Sequence, residues 1–363
     1  MQKYEIGIVG GGMVGSFAAA CLARHFSLAL IEPNDPLPLE EIPHLRVSAL
    51  TPFSIDLLQK ESIFDYLDPA RLGEILGMEL TDESARLSLR GSEIGQLRLG
   101  YIVENEHLNA AINQRLKALD LAQIKARAER VERVPEGWIV HVQDQDPIFV
   151  KILLIAEGGN SQLRRQLNVN MEIMDYQQTA WVCHVESEKP HGLLAYQRFL
   201  ETGTLAFLPL FKPNWSSVVW TLPSTQTFDL EALEQAFPDL GKLKRISKIG
   251  QFPLFAQQAE SYVGKGFALL GDAAHTVHPL AGQGVNLGFH DVAALLEVLK
   301  EKAPLQNYSK RVKIHNQLYS LGFSLLNRLY QDEHYAVKAF RQLGWKALSR
   351  VELLKKLLIK MMV

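Results

Sequence analysis

Residues 6–23 read IGIVGGGMVGSFAAACLA and form the longest uncharged apolar stretch of a chain of 363 residues. The stretch approaches the length that spans a bilayer. Three consecutive glycines interrupt it, however, and glycine is a poor helix former. A signal peptide would need a positive N-terminal region, and here Glu5 offsets Lys3. We therefore predict neither a membrane span nor a signal peptide.

The same residues fit a strand, a glycine loop, a helix and a second strand. A short strand is predicted over Tyr4–Val9, and the loop Gly10–Gly15 reads G-x-G-x-x-G. Small residues favour a helix over Ser16–His25, and the strand Ser27–Ile31 follows and ends at Glu32. This order is typical of the βαβ unit that binds dinucleotides.

Each position of the loop has a physical role in binding a dinucleotide. Gly10 makes the tight turn, Gly12 lets the backbone approach a pyrophosphate, and Gly15 allows helix and strand to pack closely. The helix N-terminus adds amide donors and positive potential. Glu32 lies 22 residues after Gly10, near the spacing at which an acid accepts hydrogen bonds from a ribose. The acid favours NAD or FAD over NADP, and the loop alone does not choose between those two.

Composition excludes several classes of protein. The chain has 38 Lys and Arg against 40 Asp and Glu, a net charge of −2, which argues against nucleic-acid binding. Cys21 and Cys183 are too few and too distant for a disulfide framework, which fits a reducing compartment. We expect a cytoplasmic protein.

The order of the patterns predicts an interrupted nucleotide domain. Alternating helices and strands at both ends enclose a β-rich middle with many aromatic residues, and the last sixty or so residues read as helical. The predicted fold class is α/β, with a Rossmann-like domain, a β-sheet substrate domain and a helical C-terminal tail. The expected division is 1–75, 98–176 and 262–300 for the Rossmann-like domain, 76–97 and 177–261 for the β-rich domain, and 301–363 for the tail.

A second glycine-rich motif follows the β-rich middle. A buried strand over Phe267–Leu270 runs into GDAAH at 271–275, and HPLAGQGVNLG at 278–288 then opens a helix. Asp272 could bond a ribityl or ribose hydroxyl, and the loop amides could stabilise negative charge on a ring. A long dinucleotide with one end at Glu32 and the other at Asp272 would explain both motifs.

Three motifs in this order resemble those of the FAD-dependent aromatic hydroxylases, the class A flavoprotein monooxygenases. The third lies between the other two and reads AEGGNSQLR at 156–164, with Glu157 where the family usually has Asp. The segments AYQRFLETGTLAFLPL at 195–210 and SVVWT at 217–221 resemble the ubiquinone-biosynthesis polyprenylphenol hydroxylases within that family.

The resemblance implies an FAD-dependent monooxygenase. It would hydroxylate a polyprenylated phenol in ubiquinone biosynthesis through a flavin C4a-hydroperoxide, with dioxygen as co-substrate and NAD(P)H as electron donor. Pro279 would lie beside the flavin where oxygen reacts, Arg46 would contact the cofactor, and Asp272 would meet its ribityl-pyrophosphate region. The resemblance implies this cofactor-binding set: Gly10, Gly12, Met13, Val14, Gly15, Glu32, Arg46, Glu157, Asp272, Gly282, Gly284, Val285 and Asn286.

The sequence identifies no catalytic base. Aromatic residues of the β-rich part, Tyr196, Phe207 and Trp220, are candidate walls for the substrate ring, or simply sheet core. His275 and His278 have H-x-x-H spacing but no matching Cys or acid cluster, so we expect no metal. Other hypotheses stay open: an NAD-linked dehydrogenase, a flavin-bearing subunit without catalysis in a ubiquinone-biosynthesis assembly, and a hydroxylase of another aromatic compound.

The tail at 345–363 is basic and apolar. It carries five Lys or Arg residues and a single acid, Glu352. Such a helix suits an anionic membrane surface, at which a lipid-tailed substrate dissolves. It also suits a packed terminal helix with solvated lysines. Peripheral contact with the inner face of the membrane and protein partners in ubiquinone biosynthesis are therefore expectations that remain open.

Overall fold

The computed structural model describes residues 1–82, 86–200, 203–276, 284–314, 316–317, 344–345 and 351–362. The helices are α1 (Met13–Leu22), α2 (Pro52–Lys60), α3 (Asn105–Leu116), α4 (Gln162–Gln166), α5 (Leu230–Ala236), α6 (Gly284–Lys300), α7 (305–314) and α8 (Glu352–Met362). Single 3-10 turns occur at Phe64–Tyr66, Pro69–Arg71, Gly91–Ile94, Pro238–Leu240 and Gly271–Ala273.

Twenty strands connect these helices in the described residues. In chain order they are β1 (Lys3–Val9), β2 (Leu28–Ile31), β3 (Val47–Leu50), β4 (Gly73–Ile75), β5 (Gly77–Thr81), β6 (Arg86–Arg90), β7 (Gly100–Glu104), β8 (Ala122–Ile124), β9 (Ala128–Val134), β10 (Gly137–Val142), β11 (Ile148–Ile155), β12 (Met171–Ser187), β13 (Leu194–Leu200), β14 (Gly203–Pro209), β15 (Trp215–Pro223), β16 (Leu243–Arg245), β17 (Gly250–Ala259), β18 (Val263–Gly264), β19 (Phe267–Leu269) and β20 (His275–Thr276).

The first sheet is the predicted nucleotide-binding sheet. Its order is β18-β19-β11-β1-β2-β8, and β1 pairs in parallel with both β2 and β11. β2 is buried throughout, and β1 and β11 are buried over their carboxyl-terminal halves, as expected for the inner strands of a parallel sheet. Helix α1 packs against α3 and α6 beside this sheet. The carboxyl ends of β1, β2, β11 and β19 therefore meet at one edge.

The second sheet comes from the β-rich middle. Its order is β20-β17-β12-β15-β14-β13-β5-β6, with β16 on β12, and its pairs are antiparallel except β13 with β5. Helix α5 and the turn after it cover one face through Leu233, Phe237 and Leu240. The small sheet β3-β7-β4 packs against the opposite face of the second sheet. Ile102 and Val47 of the small sheet belong to the apolar core between the two sheets.

The structure confirms the α/β fold class and adds detail at the boundaries. Helix α1 begins at Met13 rather than at Ser16, because Gly12 is already its N-cap. The division into domains remains our proposal: β5 and β6 lie within 76–97, whereas β12 begins at Met171 and so crosses the expected boundary at 177.

The described part of the tail is helical over 305–314 and Glu352–Met362. Ile359 of α8 and Trp345 are buried in the core under the second sheet. Among the described residues, no helix is both long and apolar enough to cross a membrane.

Candidate active site

The glycine loop forms an open cradle at the carboxyl end of β1. Gly10 has a φ of 101°, a conformation that favours glycine, and any side chain there would overlap the backbone of Ala156. A side chain at Gly15 would overlap the carbonyl oxygen of Gly10. At Gly12, by contrast, a methyl group would meet nothing within 4 Å. The space over Gly12, at the N-terminus of α1, is therefore open to a ligand.

Glu32 lies beside the glycine loop at the end of β2. Its Oε2 accepts a hydrogen bond from the Gly11 N–H at 2.6 Å. Its Oε1 accepts hydrogen bonds from the backbone N–H and the side-chain amide of Asn34 at 3.0 and 3.1 Å. The carboxylate is thereby held at the edge of the loop, with one lone pair, on Oε2, left to accept a hydrogen bond from a ribose hydroxyl.

Asp272 and Arg46 come from different parts of the chain and lie close enough for the charge of Arg46 to act on Asp272. Asp272 is accessible to water, yet the surrounding protein desolvates it and raises the pKa of its carboxyl, while the charges of His275 and Arg46 oppose that rise. We call the space bounded by the glycine loop, Asp272, Arg46 and the start of α6 the cleft. The Arg46 guanidinium lies 5.3 Å from the centre of the Phe252 ring, and the Arg46 carbonyl accepts a hydrogen bond from the Asn105 N–H.

The start of α6 closes another side of this cleft. A methyl group at Gly284 would meet nothing within 4 Å, and Val285 is buried. The Asn286 side chain accepts hydrogen bonds from the Ser54 hydroxyl and the Thr51 N–H, and donates to the Ala49 carbonyl at 2.7 Å. Asn286 therefore ties α6 to β3 and α2 with its side chain, which leaves one amide N–H and the backbone available to a cofactor.

Met13 and Val14, which the sequence predicts at the cofactor, lie in the first turn of α1. Val14 packs against Gly271 and Gly288, where even a methyl group would come close to its side chain. This contact brings the glycine loop, the turn after β19 and α6 together. Pro279, Gly282 and His278 lie outside the described residues.

The Glu157 carboxylate makes its hydrogen bonds within its own loop. Its Oε2 accepts hydrogen bonds from the Ser161 hydroxyl at 2.5 Å and from the Leu163 N–H at 2.9 Å. The neighbouring Arg164 donates to the carbonyls of Gly159 and Ala273. The Glu157 carboxylate thus caps the start of α4, and the loop is tied to the turn that carries Asp272.

One buried network was not predicted from the sequence. Asp291 of α6 accepts hydrogen bonds from the Gly271 N–H at 3.0 Å and from His275 Nε2 at 2.7 Å. No local pattern signals this role, because the partners of Asp291 lie 20 and 16 residues earlier in the chain. Among the described residues, no group of three or more His, Cys, Asp or Glu is arranged to hold a metal ion.

The aromatic residues proposed as substrate walls share one face of the second sheet. Phe207 and Tyr196 are paired across β14 and β13, and both rings contact Phe237 at centroid distances of 4.5 and 6.0 Å. Trp220 packs against Phe228 at 6.0 Å. This face is the one that α5 covers, and the structure does not bring these three residues to the cleft of Arg46 and Asp272.

The opposite face of the second sheet carries Phe252, against which Arg46 lies. Val182, Val219, Ala206 and Gln197 are paired directly across β12, β15, β14 and β13, and so form one row. Phe252 is paired with Ala180 on the same face and lies under Arg46. This row, which we call the cleft row (Val182, Val219, Ala206 and Gln197), is largely apolar.

Comparison with known proteins identifies the class. The family described as FAD binding domain matches residues 3–311. The chain belongs to this family, and within it to the ubiquinone-biosynthesis group of class A flavoprotein monooxygenases. It is therefore an FAD-binding oxidoreductase that uses oxygen, as the resemblance of its motifs implied.

Two relatives show the likeness over nearly the whole chain. The 3-demethoxyubiquinol 3-hydroxylase of Escherichia coli is 32% identical over 99% of this chain and 98% of its own length. Ubiquinone hydroxylase UbiL of Rhodospirillum rubrum is 32% identical over 98% of this chain and 88% of its own length.

A solved structure shows the same fold. The p-nitrophenol 4-monooxygenase of Pseudomonas putida superimposes with a TM-score of 0.81 over 99% of this chain and 97% of its own, at 15% identity. At that identity the likeness concerns the fold alone.

The residues of this chain fit FAD at both ends of the cleft. The open cradle over Gly12 suits a pyrophosphate at a helix N-terminus, and the anchored carboxylate of Glu32 suits a ribose hydroxyl. Asp272 and the open start of α6 at Gly284 bound the other end.

Proposed function

We propose that this protein hydroxylates a polyprenylated phenol, a precursor of ubiquinone, using FAD, dioxygen and a nicotinamide donor. The observation that carries the proposal is the cleft itself. One end has the cradle of Gly12 beside Glu32, and the other has Asp272 and Arg46 under an apolar sheet face. The curated relatives, named as ubiquinone hydroxylases, support the substrate class.

The cofactor residues are assigned as follows in this proposal. Gly10, Gly12 and Gly15 shape the pyrophosphate site, with Met13 and Val14 at the helix start, and Glu32 binds the adenosine ribose. Asp272 and Arg46 bind the ribityl-pyrophosphate region. The backbone of Gly284, Val285 and Asn286 contacts the ring, with Gly282 and Pro279 in the loop before it. Glu157 stabilises the loop before α4, next to the site, and does not bind the cofactor itself in this proposal.

FAD held by these residues and reduced by the donor would supply the chemistry with dioxygen, in which one oxygen atom enters the aromatic ring and the other leaves as water. The protein must hold the ring in place and exclude water. Arg46 and Phe252 lie where the cofactor end of the cleft meets the second sheet. The cleft row is apolar except for Gln197, which suits a hydrocarbon-substituted phenol with one polar group to orient.

The electron donor is proposed to bind in the same cleft. The sequence contains one G-x-G-x-x-G and no second one, so a separate nicotinamide domain is not indicated. NAD(P)H would then reduce the flavin from the open side of the site.

Contact with a membrane surface is part of the same proposal, because a polyprenyl tail dissolves in the bilayer. Helix α8 is anchored on one side by Lys355, which forms an ion pair with Glu93 at 2.7 Å. On its other side Leu353 and Leu354 are exposed, which suits an interfacial helix. Cosedimentation with anionic vesicles tests this contact.

The function is tested with isotope-labelled dioxygen. Protein loaded with FAD is incubated with NADH or NADPH and a short-tailed polyprenylphenol, and products are identified by mass. We expect a hydroxylated ring that carries one labelled oxygen atom, and donor oxidation that the phenol accelerates. Oxidation of the donor to give only hydrogen peroxide, with no hydroxylated product from any ubiquinone precursor tried, would overturn the proposal.

A further inference from the structure

A buried carboxylate holds both ends of the turn that carries Asp272. Asp291 is 0% exposed. Its Oδ2 accepts hydrogen bonds from the Gly271 N–H at 3.0 Å and from His275 Nε2 at 2.7 Å. Gly271 directly precedes Asp272, and His275 follows it by three residues. Asp291 thus holds both ends of the turn by hydrogen bonds from the side of α6, away from the cleft.

The second carboxylate oxygen of Asp291 connects to the helical segment after α6. Oδ1 accepts a hydrogen bond from the Asn316 side-chain amide at 3.3 Å. Tyr308 of α7 donates its hydroxyl to the Leu269 carbonyl at 2.8 Å, at the end of the strand that leads into the turn. Helix α6, through Asp291, and helix α7, through Tyr308, therefore hold the turn and the strand that leads into it.

His275 supplies the charge that a buried carboxylate needs. An ionised carboxylate away from water is costly unless it is paired. Burial would lower the pKa of the His275 imidazole, but the charge of Asp291 and the hydrogen bond to it raise that pKa above its ordinary value. The Tyr262 ring stacks on the His275 imidazole with 5.7 Å between the ring centroids, and so covers one face of the imidazole.

The charges that face this pair are few in the described residues. Asp272 lies in the turn itself, and its charge also favours the protonated imidazole. Tyr262 and Tyr308 face it with phenols whose pKa values burial raises, so both stay neutral. Arg46 acts on Asp272 from across the cleft. The sequence of charges is therefore Asp291, His275, Asp272 and Arg46, alternating in sign.

We propose that Asp291 and His275 are positioning residues for FAD, which hold the turn at Gly271–Ala273 so that the Asp272 carboxylate faces the cofactor. The inference rests on the proposed contact of Asp272 with FAD. Neither Asp291 nor His275 needs to touch the cofactor. Their effect passes through the backbone of the turn and through the positive charge that His275 places behind Asp272.

The experiment measures the dissociation constant of FAD, by quenching of its fluorescence, between about pH 6 and about pH 8, where an ordinary histidine titrates. The variants are D291N, H275N and D272N, each with a thermal unfolding curve. E297Q is the matched control, since it makes the same acid-to-amide change on α6 at an exposed ion pair with Arg311.

We expect D291N to bind FAD about tenfold to a hundredfold more weakly, the range expected for one charged hydrogen bond. Without Asp291, burial lowers the pKa of the His275 imidazole, so the ring loses its proton at a lower pH than in the wild type. That loss removes a positive charge near a dianionic cofactor, so the affinity of D291N falls at a lower pH than the affinity of the wild type. E297Q keeps the wild-type profile. H275N, which keeps a donor that cannot titrate, binds FAD weakly at every pH tested.

Two results overturn the inference in different ways. If D272N binds FAD as the wild type does, the proposed contact of Asp272 fails and this inference fails with it. If D272N binds weakly while H275N and any folded D291N bind normally, the positioning role alone fails. A D291N protein that is less stable but shows wild-type affinity and pH profile also overturns it. Should D291N not fold, H275N decides the question.

Discussion

The carboxylate of Glu32 accepts a hydrogen bond from the Gly11 N–H at 2.6 Å, which ties the end of β2 to the glycine loop. The acid therefore has two functions: it orders the loop, and its remaining lone pair on Oε2 is proposed to accept a hydrogen bond from a ribose hydroxyl. An alanine at position 32 removes both.

We expect Glu32→Ala to weaken FAD binding by about tenfold or more, because a charged hydrogen bond contributes about 1.5–3 kcal/mol. Equilibrium titration of the apoprotein with FAD measures the change. Glu5→Ala is the control, since Glu5 also accepts a hydrogen bond from a backbone N–H, that of Ser27, but at the opposite end of the strand. Equal losses of affinity in both variants would refute a ribose contact.

A pair of glycine substitutions separates binding from folding. At Gly12 an added methyl group meets no protein atom within 4 Å, and the φ of −65° suits alanine. Gly12→Ala should therefore leave the thermal stability of the apoprotein unchanged and abolish tight FAD binding, because the methyl group occupies the pyrophosphate space.

Gly15→Ala should, in contrast, lower the thermal stability of the apoprotein. Its methyl group overlaps the Gly10 carbonyl oxygen, and forced overpacking costs about 1–3 kcal/mol of stability. Unfolding curves of the two apoproteins, with FAD titrations beside them, check both expectations. A Gly12→Ala protein with wild-type affinity for FAD would show that the pyrophosphate lies elsewhere.

Short sequence motifs predict the two ends of the proposed cofactor site. The βαβ unit, Glu32 and the GDAAH turn each have a residue type that its position requires, so the sequence alone predicts a cofactor at both ends of a cleft. Asp291 carries no such local signal. Its function comes from contacts with Gly271 and His275, 20 and 16 residues earlier in the chain.

The substrate walls show the same limit more clearly. Alternation along β14 predicts that Phe207 and Ala206 point to opposite faces. It does not say which face α5 will cover, because that depends on packing between segments far apart in sequence. Size favours the larger aromatic residues as walls, whereas the structure packs them against α5 and the turn after it. The cleft row lies on the other face, the one that carries Phe252.

Acid should destabilise this protein through its buried histidines. Burial lowers the pKa of His184, and likewise those of His107 and His191. The folded state then binds fewer protons than the unfolded state, so the stability is present above the unfolded pKa of about 6.5 and is lost as pH falls below it. His275, whose pKa is raised, acts in the opposite direction.

We expect His184→Gln to reduce this loss of stability. His184 Nε2 lies 3.0 Å from the His44 carbonyl, and a glutamine amide can donate there without titrating. The midpoint of thermal unfolding, compared at about pH 7.5 and about pH 5.5, should therefore fall less in the variant. His25→Gln, at an exposed position, serves as control. An unchanged difference between the two pH values in His184→Gln would contradict this account.

The two faces of the second sheet can be distinguished by kinetics. Val219 lies at the centre of the cleft row, between Val182 and Ala206. Replacing it with phenylalanine adds bulk where the phenol is proposed to lie, so kcat/KM for the polyprenylphenol should fall by about tenfold or more, equal to about 1.4 kcal/mol of transition-state binding. The FAD affinity should not change, because Val219 belongs to the second sheet, whereas the glycine loop and Glu32 follow strands of the first.

Tyr196→Phe provides the comparison on the face that α5 covers. It removes only a hydroxyl that donates to the His191 carbonyl at 3.3 Å, so kcat/KM should stay within about twofold of the wild type, since a weak neutral hydrogen bond contributes about 0.5 kcal/mol. Steady-state rates with both variants, together with FAD titrations, make the test. If Tyr196→Phe loses activity and Val219→Phe does not, the substrate lies against the face of Phe207 and Trp220, and the assignment of the cleft row is wrong.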